Sequence, residues 1–399
     1  MKLYKIIKSI HDGTFHEKLK TKFYFTSFHK IYNVVSAFQK VDKKKIVLCA
    51  GGDAYGGDPK YIAEYILEHH LDYKIVWLVN PEKRGDGSCF PAGIKVVDLF
   101  TLKSMHEYST AKVWVDNSRK IYFPKKKKNQ LYIQTWHGNF PFKKIEQDAE
   151  LPESYINIAK NDSKAIDYFL SGNAEETKLY QNSFWYSGKV AEIGTPNCDV
   201  MFSKEKIQKM AKAVRSYYGL DEDTHILLYA PTFRNNNDFS VYNVDYERLY
   251  ASLKTRFGGK WQILTRLHPN VYLLSDKISL PSNVINATGY PDMRELQCAS
   301  DIAMTDLSGW VFEYFLMERP VFYYMTDAEE YLKNDRGLYF KPTETPFPFA
   351  KNDDELNENI LHFDEKKYLN DIHQFQSHYG FCADGTACEK TIELIENFK

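Results

Sequence analysis

Several familiar signatures are missing from this sequence. Its six cysteines are spread over 399 residues without a CxxC pair, so a zinc site of ordinary spacing is excluded and the thiols are expected to be reduced. Neither GxxxxGK(S/T) nor GxGxxG occurs, which excludes an ordinary kinase P-loop and a dinucleotide fingerprint. HExxH, GxSxG and a clustered carboxylate metal site are also missing. The sequence therefore predicts chemistry that requires neither a metal nor a bound cofactor.

A charge excess of one sign and a long apolar run are missing as well. The formal net charge is −1, so charge gives no reason to expect nucleic-acid binding. No stretch approaches the ~20 apolar residues of a transmembrane helix, and lysines interrupt the first residues too often for a secretory signal. With 43% hydrophobic and 15% aromatic residues, the chain is expected to be globular, and neither membrane-spanning nor exported.

Residues 1–45 form a basic segment that is also rich in aromatic and aliphatic side chains. They contain 11 lysines against three acidic residues, Asp12, Glu17 and Asp42. Such a segment can lie on an anionic membrane, with its rings in the headgroup layer and its ammonium groups outside. It can equally be a helical arm that packs on the body with a solvated basic face. Both interpretations stay open from the residues alone.

From Lys45 onwards, short apolar runs alternate with helical segments, which predicts an α/β fold with parallel sheets. The predicted strands of the first series are residues 45–50, 73–79, 111–117 and 131–138. Those of the second series are residues 224–234, 261–270, 300–309 and 319–327. Two consecutive series predict two Rossmann-like domains facing a central cleft, with ligands beyond the carboxyl ends of the strands.

The segment QTWHGNFPFKK places a histidine and a glycine at the end of a predicted strand. An imidazole at a cleft can act as a general base near neutral pH, so His137 is a candidate catalytic residue. Gly138 permits close approach of the backbone to a ligand, and Lys143 and Lys144 follow. The alternative is a histidine that is simply satisfied by a backbone carbonyl group.

Two further strand ends carry side chains that suit phosphate. Arg266 and His268 stand two residues apart in RLHP, so they are expected to project to one side of the strand. The guanidinium fork of Arg266 matches phosphate oxygens, although an arginine–carboxylate pair at a domain seam is the alternative. Thr232 and Arg234 end the strand that contains YAPTFR.

The segment TDLSGWVFEYF predicts a strand end followed by a helix over residues 311–317. Asp306 or Ser308 is expected to cap this helix. The N-terminus of a helix offers free N–H groups and a favourable dipole to an anion. Capping alone and phosphate binding are both compatible with the residues.

These segments resemble the CDP-glycerol glycerophosphotransferase family of teichoic-acid primases and polymerases. The resemblance runs from about residue 46 to the C-terminus, and the shared order of the segments makes it specific. The matching segments are GGDAYGGDPKYI (51–62), QTWHGNFPFKK (134–144), GTPNCDVMF (194–202), YAPTFR (229–234), RLHP (266–269), TDLS (305–308), FYYMTDAEEYLKNDRGLYF (322–340) and DGTA (384–387).

The resemblance implies a GT-B-like fold whose active site lies between an acceptor-side domain at 46–200 and a donor-binding domain at 201–399. It implies that His137 deprotonates an acceptor hydroxyl, which attacks the β-phosphorus of a CDP-activated polyol, glycerol in the first instance, and releases CMP. The implied acceptor is a lipid-linked or polymeric cell-envelope glycan. The implied location is the cytoplasmic face of the cell membrane, with its anionic surface as a further partner.

Other roles also follow from the resemblance. Arg266, His268, Asp306 and Ser308 match positions that hold the pyrophosphate and glycerol, and Thr232 and Arg234 match the loop near the nucleotide. A carboxylate beside a pyrophosphate is repulsive unless it binds a hydroxyl or orients a histidine, so Asp306 is given one of those tasks and is counted as catalytic with His137 and His268. The implied substrate-binding residues are Gly138, Lys143, Lys144, Thr232, Arg234, Arg266, Ser308 and Gly309.

The sequence departs from the family's pattern in two places. Relatives often carry a second serine where Gly309 stands, and a Pro-Leu or similar pair where this chain has Asn139, Phe140 and Pro141. Two other functions remain open: a GT-B glycosyltransferase that uses a UDP or GDP sugar, and a non-catalytic envelope-assembly protein. A CDP-ribitol donor is a further alternative.

Overall fold

The structure is a computed structural model. It describes residues 32–51, 55–121, 123–232, 240–267, 280–328 and 337–399. Most of the basic arm, Arg234 and His268 therefore lie outside the described residues, and the predictions made for them stay predictions. Within the arm, residues 32–37 are helical and residues 42–45 begin the first strand.

The described strands form where the sequence has short, almost uninterrupted apolar runs. In β1 the lysine-rich start is partly exposed and the last four residues are buried, and all four residues of β11 are buried. Such burial on both faces is typical of parallel sheets that helices cover. The strands are β1 Asp42–Cys49, β2 Lys74–Val79, β3 Ile94–Asp98, β4 Ala111–Asp116, β5 Leu131–Gln134, β6 Tyr168–Ser171, β7 Lys189–Glu192, β8 Thr224–Tyr229, β9 Lys260–Thr265, β10 Val284–Asn286, β11 Ile302–Thr305, β12 Val321–Tyr324 and β13 Phe349–Ala350.

The helices between these strands begin and end with recognisable caps. Asn173 and Ser203 accept hydrogen bonds from N–H groups in the first turns of the helices that follow them. Gly219 and Gly380 end two long helices in the left-handed conformation that glycine adopts without strain. The described α-helices within the two series are α1 Gly57–Glu68, α2 Pro81–Arg84, α3 Leu102–Thr110, α4 Glu153–Ser163, α5 Ala174–Ser183, α6 Lys204–Tyr218, α7 Tyr246–Phe257, α8 Met293–Ala299, α9 Val311–Tyr314, α10 Asp353–Leu361, α11 Glu365–Tyr379 and α12 Ala387–Glu396.

Two sheets are formed, and both show the strand order of a Rossmann fold. The first has the order β3-β2-β1-β4-β5-β6-β7 and the second the order β10-β9-β8-β11-β12-β13. Neighbouring strands from β3 to β6 and from β10 to β13 run parallel. The prediction of an α/β protein with two parallel sheets is confirmed. In each sheet the order reverses between two central strands, β1 and β4 or β8 and β11, which is where such folds bind ligands.

The chain divides into two compact units that are not continuous in sequence. The first comprises the described residues up to Trp136 together with Ser154–Phe169 and Ile392–Lys399, and the second comprises the described parts of His137–Glu153 and Leu170–Thr391. The predicted domains were continuous, with a boundary at residue 200. Strands β1 to β7 precede that boundary and β8 to β13 follow it, and the domain limits stay a prediction.

The second unit has a large aromatic core around its sheet. Phe312, Phe315, Tyr323 and Phe375 are buried there, and Phe140 and Phe142 belong to the same cluster. All six cysteines are free, as the sequence predicts. Within the described ranges, no helix has both the length and the apolar composition needed to cross a membrane.

Candidate functional site

Thr232 and Asp306 meet at the point where the strand order of the second sheet reverses. Thr232 lies three residues beyond β8, and Asp306 directly follows β11, its neighbour in the sheet. The backbone N–H of Thr232 donates to Asp306 Oδ1 at 2.9 Å, and the Thr232 hydroxyl donates to the same oxygen at 2.7 Å. Asp306 is only 1% exposed. These bonds fix the loop after β8 at the place where a parallel sheet binds its ligand.

Two more hydrogen bonds hold the same pair of strand ends. The Thr305 hydroxyl and the Trp310 indole N–H both donate to the carbonyl oxygen of Ala230, at 2.8 and 3.0 Å. The turn that carries Ser308 and Gly309 therefore lies between two residues anchored to one carbonyl group. Ser308 and Gly309 are both half-buried, so the turn keeps a side open to solvent.

The backbone of Arg266 extends the hydrogen bonding between β9 and β8 by one residue. Its N–H donates to the carbonyl oxygen of Tyr229 at 2.8 Å, and its Nη1 donates to the carbonyl oxygen of Tyr290 at 2.8 Å. The strand itself ends at Thr265, so Arg266 stands just beyond it rather than on it. The backbone of the half-buried Arg266 thus lies next to the end of β8, while its guanidinium is held by the Tyr290 carbonyl group.

The predicted helix cap at residues 306–308 is wrong. The α-helix spans only Val311–Tyr314, its N-cap is Trp310, and no side chain caps it. The helical region extends to Met317 as a 3-10 turn. A helix this short has little macrodipole to offer an anion. Asp306 accepts hydrogen bonds from Thr232 instead, and the short helix provides no dipole-based phosphate site at these residues.

His137 lies in a sharply bent loop rather than directly after its strand. Strand β5 ends at Gln134, and the bend follows from Trp136 at φ +57° and Gly138 at φ +131°. A left-handed conformation at a bulky residue such as Trp136 is strained and needs support. Gln134 Oε1 accepts a hydrogen bond from the Trp136 N–H at 3.0 Å, which supplies part of it. His137 and Gly138 are exposed, so the loop presents the imidazole to solvent.

The lysine pair after this loop is held by a short antiparallel pairing with residues 337–339. Lys143 bridges Leu338, the Lys144 N–H donates to the Gly337 carbonyl oxygen at 2.7 Å, and the Tyr339 N–H donates to the Phe142 carbonyl oxygen at 3.0 Å. The Lys144 side chain passes over Gly337, where a Cβ would lie 3.0 Å from its Cδ. The backbone of the lysine segment is therefore fixed, while the Lys144 side chain is exposed.

Asp148 strengthens this pairing from the other side. Its Oδ2 accepts hydrogen bonds from the Tyr339 hydroxyl at 2.6 Å and from the Ser183 hydroxyl at 2.5 Å. Burial and the bond to Asp148 raise the pKa of Tyr339 above its ordinary value. No role for Ser183 or Tyr339 was predicted, because nothing in their local sequence indicates a partner so far along the chain.

Phe140 connects the His137 loop with the helix that follows Asp306. Its ring centroid lies 4.6 Å from that of Phe312 and 4.9 Å from that of Phe340.

The second unit contains all nine predicted site residues that the structure describes: His137, Gly138, Lys143, Lys144, Thr232, Arg266, Asp306, Ser308 and Gly309. Arg234 and His268 lie outside the described residues.

A surface groove of about 940 Å³ lies elsewhere, between residues 343–348 and helices α10 and α11. None of the predicted site residues lines it. Four of its charged side chains form pairs with each other: His362 with Glu358 at 3.2 Å and Lys367 with Asp371 at 2.5 Å. Side chains that pair with each other in this way give no sign of a bound ligand. The residues at the ends of β8, β9 and β11, namely Thr232, Arg266 and Asp306, are therefore the better candidate site.

Among the described residues, no group of three or more histidine, cysteine, aspartate or glutamate side chains is arranged to hold a metal ion. The arrangement at the strand ends offers an exposed imidazole, a guanidinium, hydroxyl groups and a buried carboxylate. These groups suit proton transfer and the binding of phosphate and hydroxyl groups.

The comparison with known proteins identifies the family. A model of the CDP-glycerol:poly(glycerophosphate) glycerophosphotransferase family matches residues 31–397. The chain belongs to this family. The family resemblance predicted from the sequence is confirmed.

Curated relatives of the family align over most of this chain. The teichoic acid poly(glycerol phosphate) polymerase of Bacillus spizizenii is 28% identical over 92% of this chain and 95% of its own length. The teichoic acid glycerol-phosphate transferase of Staphylococcus aureus is 27% identical over 92% of this chain and 97% of its own. The poly(glycerol phosphate) polymerase of Staphylococcus epidermidis is 29% identical over 92% of this chain, which spans about half of that protein (52%).

Solved structures give the same result. The wall teichoic acid polymerase TagF superposes with a TM-score of 0.81 at 26% identity, covering 98% of this chain and 97% of that one. A histidine-to-asparagine variant of TagF soaked with CDPG superposes equally well, at 27% identity and with the same coverage.

Proposed function

We propose that this protein transfers glycerol phosphate from CDP-glycerol to a hydroxyl group of a lipid-linked or polymeric cell-envelope glycan. The acceptor oxygen forms a bond to the β-phosphorus, the bond from that phosphorus to the bridging oxygen breaks, and CMP leaves with the electron pair. The observation that carries the proposal is the Thr232–Asp306 pair at the reversal point of the second sheet, in a chain that belongs to this family.

In this proposal His137 takes the proton from the acceptor hydroxyl. Its exposure on a bent loop leaves the imidazole accessible to a bound acceptor, and an imidazole has the basicity for this step near neutral pH. His268 completes the donor site as a further catalytic residue. Its role rests on the family resemblance, since the structure does not describe it.

The donor's phosphates are bound by the groups around the strand ends. Arg266 is held by the bond from its guanidinium to the Tyr290 carbonyl oxygen, and Ser308 and Gly309 lie in the turn that the Trp310 indole anchors. Arg234, which lies outside the described residues, is assigned to the same task by the family resemblance. Lys143 and Lys144 neutralise negative charge near the His137 loop. Gly138 permits close approach of the substrate to the backbone. Asp306 holds the Thr232 loop and, being negative, faces a hydroxyl group rather than a phosphate. No metal or cofactor takes part in this proposal.

The proposal includes a GT-B-like organisation, with donor and acceptor assigned to different Rossmann-like domains. Its support is that both sheets have the Rossmann strand order. The central cleft and the domain limits 46–200 and 201–399 remain predictions.

An anionic membrane surface on the cytoplasmic side is the proposed location, because the acceptor is expected to be lipid-linked. The start of the described chain supports this. Val34, Val35 and Phe38 are 65%, 45% and 85% exposed, which is unusual for three apolar side chains so close together. The Lys125 N–H donates to Asn33 Oδ1 at 2.8 Å, so the lysine run 125–128 lies beside this apolar surface. Apolar side chains next to lysines suit a headgroup layer.

One experiment identifies the donor substrate. The purified protein is incubated with CDP-glycerol, CDP-ribitol, UDP-glucose or GDP-mannose and a lipid-linked glycan acceptor, and CMP release and product mass are measured. We expect CMP and a mass increase of one or more glycerol phosphate units with CDP-glycerol. UDP release from a sugar nucleotide, with no CMP from CDP-glycerol, would replace the proposal with a glycosyltransferase.

A CDP-ribitol donor is the second candidate. Two curated relatives from Bacillus spizizenii, a poly(ribitol-phosphate) polymerase and a ribitol-phosphate primase, are 25% and 26% identical to this chain. The identity is slightly higher with the glycerol-phosphate enzymes, which favours glycerol. Faster turnover with CDP-ribitol than with CDP-glycerol would reverse the order. Failure of every donor would favour a binding role in envelope assembly.

A further inference from the structure

Asn139 is the buried residue that follows the exposed pair His137 and Gly138. It is 0% exposed, and both the nitrogen and the oxygen of its side-chain amide form hydrogen bonds. Nδ2 donates to the Phe312 carbonyl oxygen at 3.1 Å, and Oδ1 accepts from the Thr195 hydroxyl at 2.7 Å. The amide orientation follows from these partners, because a carbonyl oxygen only accepts hydrogen bonds.

The backbone of Asn139 is held as firmly as its side chain. Its carbonyl oxygen accepts from Asn173 Nδ2 at 2.5 Å. Asn173 is itself 0% exposed and caps helix α5, since its Oδ1 accepts from the Glu176 N–H at 2.9 Å. Three buried hydrogen bonds therefore fix one residue to three separate segments of the second unit.

The packing leaves little room for Asn139 to move. A Cβ atom at Gly172 would lie 2.1 Å from Asn139 Oδ1 and 2.8 Å from Thr195 Oγ1, so the amide fills the space that any other residue at position 172 would occupy. The next residue, Phe140, stacks near Phe312 with ring centroids 4.6 Å apart. Asn139 and Phe140 thus hold one backbone segment, residues 311–314, through a hydrogen bond and a ring contact.

We propose that Asn139 is a positioning residue that fixes the His137 loop relative to the segment after Asp306 and Ser308. His137 is two residues from Asn139, so their Cα atoms are at most about 7 Å apart. Phe312 follows Ser308 by four residues on the chain that leaves β11. The bond from Asn139 to Phe312 therefore sets the distance between the base and the donor site, at a position where this chain departs from the family's usual pattern.

The inference rests on the proposed role of His137, and its consequence is kinetic. Small displacements of a reacting group lower turnover strongly without weakening the binding of substrate. We expect Asn139→Ala to lower kcat by about 10- to 100-fold while the KM for CDP-glycerol changes by less than about threefold. Asn182→Ala, an exposed asparagine on helix α5, is the matched control and should retain the parent's kcat.

A double-mutant cycle separates positioning from general damage. If Asn139 acts through His137, Asn139→Ala has no further effect on the residual turnover of His137→Ala. A loss that multiplies in the double variant would overturn the inference. Unchanged turnover of His137→Ala would remove the base assignment and the positioning role with it. A large loss for His137→Ala with unchanged kcat for Asn139→Ala would overturn the positioning role alone.

Thr195 provides a milder variant in case Asn139→Ala does not fold. Thr195→Val removes the hydroxyl donor but keeps the shape of the side chain. We expect kcat to fall threefold to tenfold, because one hydrogen bond contributes about 1 kcal/mol. Thr195→Ser keeps the hydroxyl, and its turnover should be close to the parent's value. Equal turnover of the valine and serine variants, both with the parent's melting temperature, would contradict the inference.

Discussion

Thr232 and Asp306 are 74 residues apart in the sequence, yet two hydrogen bonds from Thr232 end on a single carboxylate oxygen of Asp306. Asp306 is buried, and hydrogen bonds such as these offset the cost of burying a carboxylate. The pair joins the loop after β8 to the turn after β11 at the reversal point of the sheet. The carboxylate therefore holds these two loops together, and its proposed contact with substrate depends on that arrangement.

Removal of this carboxylate should therefore lower stability as well as turnover. We expect Asp306→Ala to reduce the free energy of unfolding by about 2–3 kcal/mol, because two donors lose a charged acceptor. Asp306→Asn keeps an oxygen that accepts both bonds and should cost about 1 kcal/mol or less. Denaturant titration measures both. Equal losses for the two variants would show that the charge, and not the acceptor geometry, holds the loop.

Asp199 caps helix α12 from a distant part of the chain. Its two carboxylate oxygens accept from the N–H groups of Ala387 and Cys388 at 3.0 and 2.7 Å, and burial raises its pKa. We expect Asp199→Ala to lower the free energy of unfolding by about 1–2 kcal/mol, the usual cost of a lost N-cap. Asp199→Asn should lose less, since the amide oxygen still accepts one bond. Asp223→Asn, at an exposed carboxylate, is the control and should change stability by less than about 0.5 kcal/mol.

Asp162 makes the stability of the protein depend on pH. Burial raises its pKa to about 6, although Arg119 and Lys120 lower it in part. The folded state therefore binds a proton more tightly than the unfolded chain, whose aspartates titrate near pH 4. The contribution of Asp162 is most favourable below pH 4, declines as the pH rises to about 6 and is constant above that.

The comparison of Asp162→Asn with the parent tests this sign. We expect the difference in unfolding free energy between parent and variant to fall between pH 4 and pH 6 and to level off above pH 7. The Tyr132 hydroxyl, which donates to Asp162 Oδ1 at 2.9 Å, retains an acceptor in the variant. A difference that grows with pH over the same range would mean that the charged partners dominate and that the pKa is lowered instead.

Phe38 should contribute to vesicle binding if the apolar surface next to the lysine run contacts a membrane. We expect Phe38→Asp to reduce binding to phosphatidylglycerol vesicles by about tenfold, which combines the loss of a large apolar contact with a new negative charge. Phe202→Asp is the matched control, because Phe202 is also exposed, at 42%, and lies in the other unit. Sedimentation with vesicles measures both variants. Equal binding by parent and Phe38→Asp would exclude this surface as the contact.

The sequence by itself determined eight of the thirteen described strands and the order in which they occur; β3, β6, β7, β10 and β13 were not predicted. Runs such as KIVLC in β1 and IAMT in β11 are almost entirely apolar, which is typical of a buried parallel strand. The ordered segments around His137, Thr232, Arg266 and Asp306 were sufficient to predict the family. These features are local, because propensity and short apolar runs depend on neighbouring residues alone.

The tertiary structure decided which of these residues meet. Asp306 or Ser308 was expected to cap the helix that follows, but neither does, and Asp306 binds Thr232 because the strand order places β8 beside β11. Asn139 was noted only as a departure from a pattern, yet it bonds to Phe312, 173 residues further along the chain. Hydrogen bonds across such separations depend on how parallel strands are ordered and how loops pack, and a local pattern carries no information about either.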